Sequence, residues 1–154
     1  MNLLNPTLCI SVAEKPGKFG ITVHNAGYRA LGLNFVYKTF AIDDIKGVII
    51  GVRSLGIRGC SVSMPFKEKV IPFLDRLDPL AKKIGAVNTI VNDNGQLIGY
   101  NTDVIAVEKS LKPLQIKNDK DIIIFGAGGV SRAILVALKN LKLKNITVTN
   151  RTTR

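Results

Sequence analysis

The chain has 154 residues, 46% of them apolar, two cysteines, no tryptophan and a formal net charge of +11 at pH 7. That apolar share builds the core of one ordinary domain or two small half-domains, which excludes a disordered chain. No run approaches the ~18 apolar residues of a membrane span, and the opening MNLLNPTLC lacks a basic region followed by an apolar one, so no membrane segment or leader is expected.

In chain order, strands and helices alternate. Thr7 to Val12 is strand-like, His24 to Leu31 is helical, and Asn34 to Phe40 is a strand built on the β-rich FVYKTF. Asp43 is the expected N-cap of a helix whose apolar positions Ile45, Val48, Ile49, Val52 and Leu55 recur at helical spacing, and Gly56 ends it. A strand from Gly59 to Ser63 leads into a helix at about Pro65, because proline is tolerated at a first helical position. A second short helix follows Asp78-Pro79. AVNTIVNDNGQLIGYNTD then holds two β-rich runs joined through Asn94-Gly95, a strong hairpin signal. Val104 to Leu111 is helical, and the polar KPLQIKNDK marks a boundary. Beyond it, DIIIF is the continuous apolar run of a buried parallel strand, GAGG a turn, VSRAILVALKNL a helix and NITVTN a second strand. The predicted fold is α/β: a mixed-sheet unit over residues 1–111, then the first β-α-β of a second, incomplete unit over 112–154.

Cys9 and Cys60 lie in apolar, strand-like runs, which suits buried free thiols in a reducing, cytoplasmic setting rather than a disulfide framework or metal site. Charge is skewed along the chain: residues 1–108 hold 12 Lys/Arg against 9 Asp/Glu, and residues 109–154 hold 10 against 2. Such an excess suits nucleic acid, a membrane surface or a phosphorylated ligand, with solvated helix faces as the plain alternative. Aromatic residues do not interleave with these cations, so a stacking surface for nucleic acid is not expected.

The glycines of Gly126-Ala127-Gly128-Gly129 stand between a strand and a helix, where backbone amides and the helix amino end can approach a pyrophosphate. Ser131 occupies the place of the usual third glycine or alanine, so helix packing there must admit a hydroxyl. An NAD-preferring site carries Asp or Glu about 20 residues further on, to hold the ribose 2′-hydroxyl. Here Asn150, Arg151 and Thr152 offer a fixed cation with amide and hydroxyl donors, which suits a 2′-phosphate and points to NADP. The competing reading is a generic tight turn followed by a polar loop.

In SVSMPFKEKV, Lys67 falls in the first turn of a helix, where the helix dipole mildly disfavours a cation. Asp103 follows the hairpin in YNTD, at a strand-to-helix junction where side chains project into clefts. Together they could handle the proton of a hydroxyl being oxidised while a nicotinamide accepts hydride. Which of the two moves the proton is left open, as are the plain alternatives of a solvated lysine and a helix-capping aspartate.

IRGCSVSMPFKE with Lys67, GAVNT with Asn88, YNTD with Asp103, GAGGVSRA and NRT, in this order and spacing, resemble the shikimate dehydrogenases. The resemblance implies a substrate-binding domain, an NADP-binding Rossmann domain and reversible reduction of 3-dehydroshikimate to shikimate. By position, Lys67 and Asp103 match the family's catalytic pair and Asn88 a ligand of substrate hydroxyls. Ser63 stands where threonine is usual, Gly126, Gly128 and Gly129 match the pyrophosphate loop, and Asn150, Arg151 and Thr152 match the 2′-phosphate grip. The family's Ser-x-Ser-Pro-x-x-His-Asn motif reads KFGITVHN here. Lys18 and Gly20 replace its serines and Ile21 its proline, so two donors expected to hold the substrate carboxylate are gone, and Lys18 could supply a charge instead. This variant looks most like the shikimate dehydrogenase-like branch. His24 is expected to anchor the start of a helix.

The implied partner is a shikimate-like carboxylic acid, with no nucleic acid, metal or membrane, and with monomer and homodimer both open. The alternative is a binding or regulatory module that keeps the scaffold without productive chemistry. Because strands beyond residue 154 would complete the nicotinamide cradle, the 154 residues alone are expected to bind NADP weakly and turn over poorly.

Overall fold

The computed structural model describes residues 5–152. Strand β1 (Thr7–Ala13) is followed by α1 (Phe19–Ala30), β2 (Phe35–Ala41), α2 (Ile45–Ser54) and β3 (Gly59–Val62). The short α3 (Phe66–Lys69), β4 (Arg76–Leu77), α4 (Pro79–Ile84), hairpin β5 (Thr89–Asp93) and β6 (Gln96–Tyr100), and α5 (Asp103–Leu111) come next. These strands form one mixed six-stranded sheet in the order β2-β1-β3-β5-β6-β4, with β1 parallel to β2 and β3 and the hairpin antiparallel beside them. A separate parallel pair, β7 (Ile122–Phe125) and β8 (Ile146–Thr149), encloses α6 (Gly129–Asn140) as a β-α-β unit.

The main core lies on the α2 face of the large sheet. Alternation along β1 and β3 puts Ile10, Val12, Cys60 and Val62 inward against Ile49 and Val52 of α2, with Val70, Ile90 and Leu97 closing the layer. Val52, Val70, Ile90 and Leu97 are fully buried, each worth about 1.5–3 kcal/mol in apolar area removed from water. Burial also pushes the Cys60 thiol up to about 12, which leaves it inert. A second cluster of Ile84, Ala86, Val104, Ala133 and Ala137 packs α6 onto α4 and α5, and this contact brings the two units together.

Several local expectations shift. α1 begins at Phe19 rather than His24, although Ile21, Thr22 and Val23 are β-branched and Gly20 is a weak helix former. Tertiary contacts override propensity: Asn25 Nδ2 donates to the Tyr37 carbonyl, Asn25 Oδ1 accepts from the Tyr37 N–H, both at 2.9 Å, and Gly20 lies against the Tyr37 ring. Asn25 thereby covers the open edge of β2. His24 sits inside the helix, stacked on Tyr37 at 4.3 Å, and does not anchor its start. The residue at the N-cap of α2 is Asp44, not Asp43, and its side chain makes no capping bond. Strand β4, only two residues long, is too short to leave a pattern in the sequence and exists by pairing with β6. The hairpin turn is as expected, with φ of +52° at Asn94 and +91° at Gly95.

Candidate active site

Three side chains meet where β5, β6, α3 and α5 converge. Lys67 Nζ donates to Asp103 Oδ2 at 2.7 Å, and Asn88 Nδ2 donates to Asp103 Oδ1 at 2.8 Å. The Lys67 and Asp103 side chains are 14% and 25% exposed, desolvated enough to strengthen the pair yet open to a ligand. Each arm is fixed from behind. The Lys67 carbonyl accepts from the Val87 N–H at 2.8 Å, tying α3 to the strand entry. Asn88 Oδ1 accepts from the Thr102 N–H at 3.0 Å and from Thr89 Oγ1 at 2.9 Å. Because a backbone N–H can only donate, this fixes the Asn88 amide with its nitrogen toward Asp103.

Asp103 is the first residue of α5 and its side chain points at Lys67 and Asn88, so the helix-capping alternative does not describe it. Its own N–H donates to Asn101 Oδ1 at 3.0 Å, and Asn101 Nδ2 donates to the Ala86 carbonyl at 2.9 Å. Asn101, 3% exposed, is the buried strut of the site and was not singled out in the sequence. Its signal was a polar residue at the end of a half-buried strand, immediately before Thr102 and Asp103.

The glycine turn lies beside this cluster. Gly126 has φ +103°, a conformation that favours glycine, and its N–H donates to the Thr149 carbonyl at 2.7 Å, which ties the turn to the end of β8. Gly129 opens α6 in close contact with the first unit: a Cβ there would lie 3.3 Å from Ala86 Cβ and 3.7 Å from Lys67 Cδ. Met64, Pro65, Lys67, Glu68, Gly128, Gly129, Val130 and Ser131 line a cleft of about 330 Å³ between the units. The amino end of α6, with Gly128 at the cap, has neither a side-chain cap nor an acidic residue in its first turn. That leaves amide donors for an anion. Ser131 is 8% exposed, so the hydroxyl is accommodated in the helix packing.

A second, more open recess of about 510 Å³ is lined by Phe125, Gly126, Thr149, Asn150 and Arg151. Asn150 Nδ2 donates to the Thr152 carbonyl at 2.7 Å, folding the Asn-Arg-Thr triplet into a turn with Arg151 exposed. The glycine turn and the triplet are thus brought together, with Ala127 half-buried between Gly126 and the α6 cap. Ser63 is exposed at the start of the turn into α3, where its carbonyl accepts from the Phe66 N–H at 2.9 Å. Lys18 is exposed at the amino end of α1 and is not among the residues lining the Lys67 cleft.

A family profile, the shikimate dehydrogenase substrate binding domain, matches residues 19–90. A shikimate dehydrogenase-like protein of Haemophilus influenzae is 52% identical over 133 residues, covering 86% of this chain and 49% of that protein. Residues 19–90 carry the shikimate dehydrogenase substrate binding domain. Among solved structures, shikimate dehydrogenase from Aquifex aeolicus superposes with a TM-score of 0.90 at 39% identity, over 99% of this chain and 58% of that one. Shikimate 5-dehydrogenase from Thermus thermophilus, solved with NADP(H) and shikimate, superposes with a TM-score of 0.83 at 32% identity, over 94% of this chain and 56% of that one. The chain spans about half the length of the curated relatives it matches. No helix among the described residues is long and apolar enough to cross a membrane, and no group of three or more His, Cys, Asp and Glu among them could hold a metal ion.

Proposed function

We propose that this chain supplies the substrate-binding unit, residues 1–111, and the first β-α-β of the NADP-binding unit, residues 112–154, of a cytoplasmic oxidoreductase. The reaction is the reversible reduction of 3-dehydroshikimate to shikimate, or of a related keto acid to its hydroxy acid. The observation that carries this reading is the hydrogen-bonded Lys67–Asp103–Asn88 cluster, whose Lys67 lines a cleft with the Gly128–Gly129 turn on its other wall.

In this reading NADP, when bound, accepts the hydride from the alcohol carbon or returns it to the ketone. The chain's own residues hold the proton. A substrate hydroxyl entering between Lys67 and Asp103 meets a donor and an acceptor already aligned at 2.7 Å, so its proton passes to this pair as the ketone forms. Asn88 holds the Asp103 carboxylate in place with one amide N–H, and the other, which donates to Thr102 Oγ1 at 3.0 Å, is assigned to a neighbouring substrate hydroxyl in exchange for that bond. The exposed Ser63 hydroxyl and Lys18 ammonium are assigned to the substrate's hydroxyl and carboxylate. Gly126, Ala127, Gly128 and Gly129 present amides to the pyrophosphate, with Asn150, Arg151 and Thr152 at the 2′-phosphate. Supporting the cofactor assignment are the uncapped amino end of α6 and the recess beside Arg151.

Calorimetric titrations with shikimate and with NADPH, run beside the rate of NADPH formation, test the reading. Lys67→Ala should abolish turnover and weaken shikimate binding while leaving NADPH affinity within about twofold. A Lys67→Ala variant equal to wild type in both turnover and shikimate affinity refutes the role of Lys67. Tight binding of both ligands by the wild-type chain without turnover supports the binding-module alternative.

A further inference from the structure

Arg132, in the first turns of α6, pairs across the cleft with Glu68 of α3, Nη2 to Oε2 at 3.1 Å, with both side chains 41% exposed. A pair this exposed contributes little to stability. Its location matters more. Glu68 lines the same cleft as Gly128 and Gly129, facing the uncapped amino end of α6. A helix amino end attracts anions, and a free carboxylate beside it both competes for those amides and repels an incoming pyrophosphate. Arg132 is held in turn against the end of α4, where a Cβ on Gly85 would lie 3.4 Å from its Nη1.

We propose that Arg132 is a positioning residue for the cofactor: by holding the Glu68 carboxylate it keeps the amino end of α6 open to a dinucleotide pyrophosphate. The inference rests on the assignment of Gly126 to Gly129 as the cofactor loop, and it adds that Arg132 acts through Glu68 rather than by touching phosphate. Removing Arg132 alone then leaves an uncompensated carboxylate at the cleft, and removing both charges restores binding.

The test is NADPH affinity, read by cofactor fluorescence, for the wild-type chain, Arg132→Gln, Glu68→Gln, the double variant and Arg132→Lys, with circular dichroism to verify folding. Arg132→Gln should weaken NADPH roughly three- to tenfold, in line with one unscreened carboxylate at the mouth of a partly exposed site. Glu68→Gln should bind as well as wild type or better, the double variant should match Glu68→Gln, and Arg132→Lys should keep most of the affinity. The loss in Arg132→Gln should shrink as salt rises to about 0.5 M. A double variant as weak as Arg132→Gln overturns the inference, since Arg132 would then contact phosphate itself. So does an Arg132→Gln affinity equal to wild type. Glu68→Gln leaves Arg132 packed against Gly85 and provides the test even if Arg132→Gln folds poorly: weaker binding there overturns the proposal. Wild-type chain with no NADPH affinity overturns both this inference and the cofactor reading, whereas wild-type binding with unaffected variants overturns this inference alone.

Discussion

Asn88→Asp changes one atom of the site and reverses the sense of one contact. The amide nitrogen that donates to Asp103 Oδ1 at 2.8 Å becomes a second carboxylate oxygen facing the first. At effective dielectric constants of about 20 to 80, two unit charges this close repel by roughly 1.5 to 6 kcal/mol. The site is partly open, with Lys67 and Asp103 14% and 25% exposed, so the middle of that range, about 3 kcal/mol, applies at neutral pH. With an unfolding entropy of about 2.1 cal/mol/K per residue, 154 residues convert this into a fall in Tm of about 9 °C. Asn88→Ala removes the hydrogen bonds without adding charge and should cost less, about 1–3 kcal/mol. Thermal melts by circular dichroism at pH 7 and low salt give the ordering wild type, then Asn88→Ala, then Asn88→Asp. Wild-type and Asn88→Asp midpoints within 2 °C of each other would refute the orientation of the Asn88 amide and its contact with Asp103.

Gly99 lies under the main core, where an added Cβ would meet Leu74 Cδ1, Val87 Cγ2 and Leu77 Cδ2 at 2.7 to 2.9 Å. Gly99→Ala should therefore cost about 1–3 kcal/mol of overpacking in a denaturant titration, and an unchanged midpoint would contradict the packing. Asp75 accepts from Arg53 and from the Leu97 N–H, and these bonds, Arg53 first, hold its carboxyl below the usual carboxylate range. A lowered folded-state pKa contributes stability that is present above the unfolded value of about 3.9 and lost as pH falls through the folded one. Because Arg53 and Asp75 are 41% and 37% exposed, Asp75→Asn should lose under about 1 kcal/mol at pH 7 and nothing in strong acid; an equal deficit at both would disprove the pairing. Cys60 is 1% exposed with its thiol pushed up to about 12, so iodoacetamide at pH 8 should leave it unmodified until the chain is denatured. Rapid native-state labelling at Cys60 would show that its burial is wrong.

Apart from the two-residue β4, the order of strands and helices could be read from the sequence because the elements carry local causes: period-two or helical spacing of apolar residues, Asn94-Gly95 for the hairpin, and glycines after DIIIF. The residue types of the candidate site were legible too: Lys67, Asp103 and the glycine turn from their chemistry and placement, and Asn88 from the resemblance of GAVNT to the shikimate dehydrogenases. What a linear pattern could not carry was anything made by contact between distant segments. α1 extends back to Phe19 because Asn25 and Tyr37 hold it to β2, against the propensity of its first turn. Asn101 becomes a strut only when Ala86 comes within 2.9 Å of it. Glu68 and Arg132 read as ordinary surface charges until the docking of α6 on α4 and α5 sets them 3.1 Å apart. The sequence by itself therefore determined which chemical groups were present and on which elements. Only the tertiary structure decided which of them meet, because hydrogen bonds and ion pairs act over a few ångströms while the partners lie tens of residues apart in the chain.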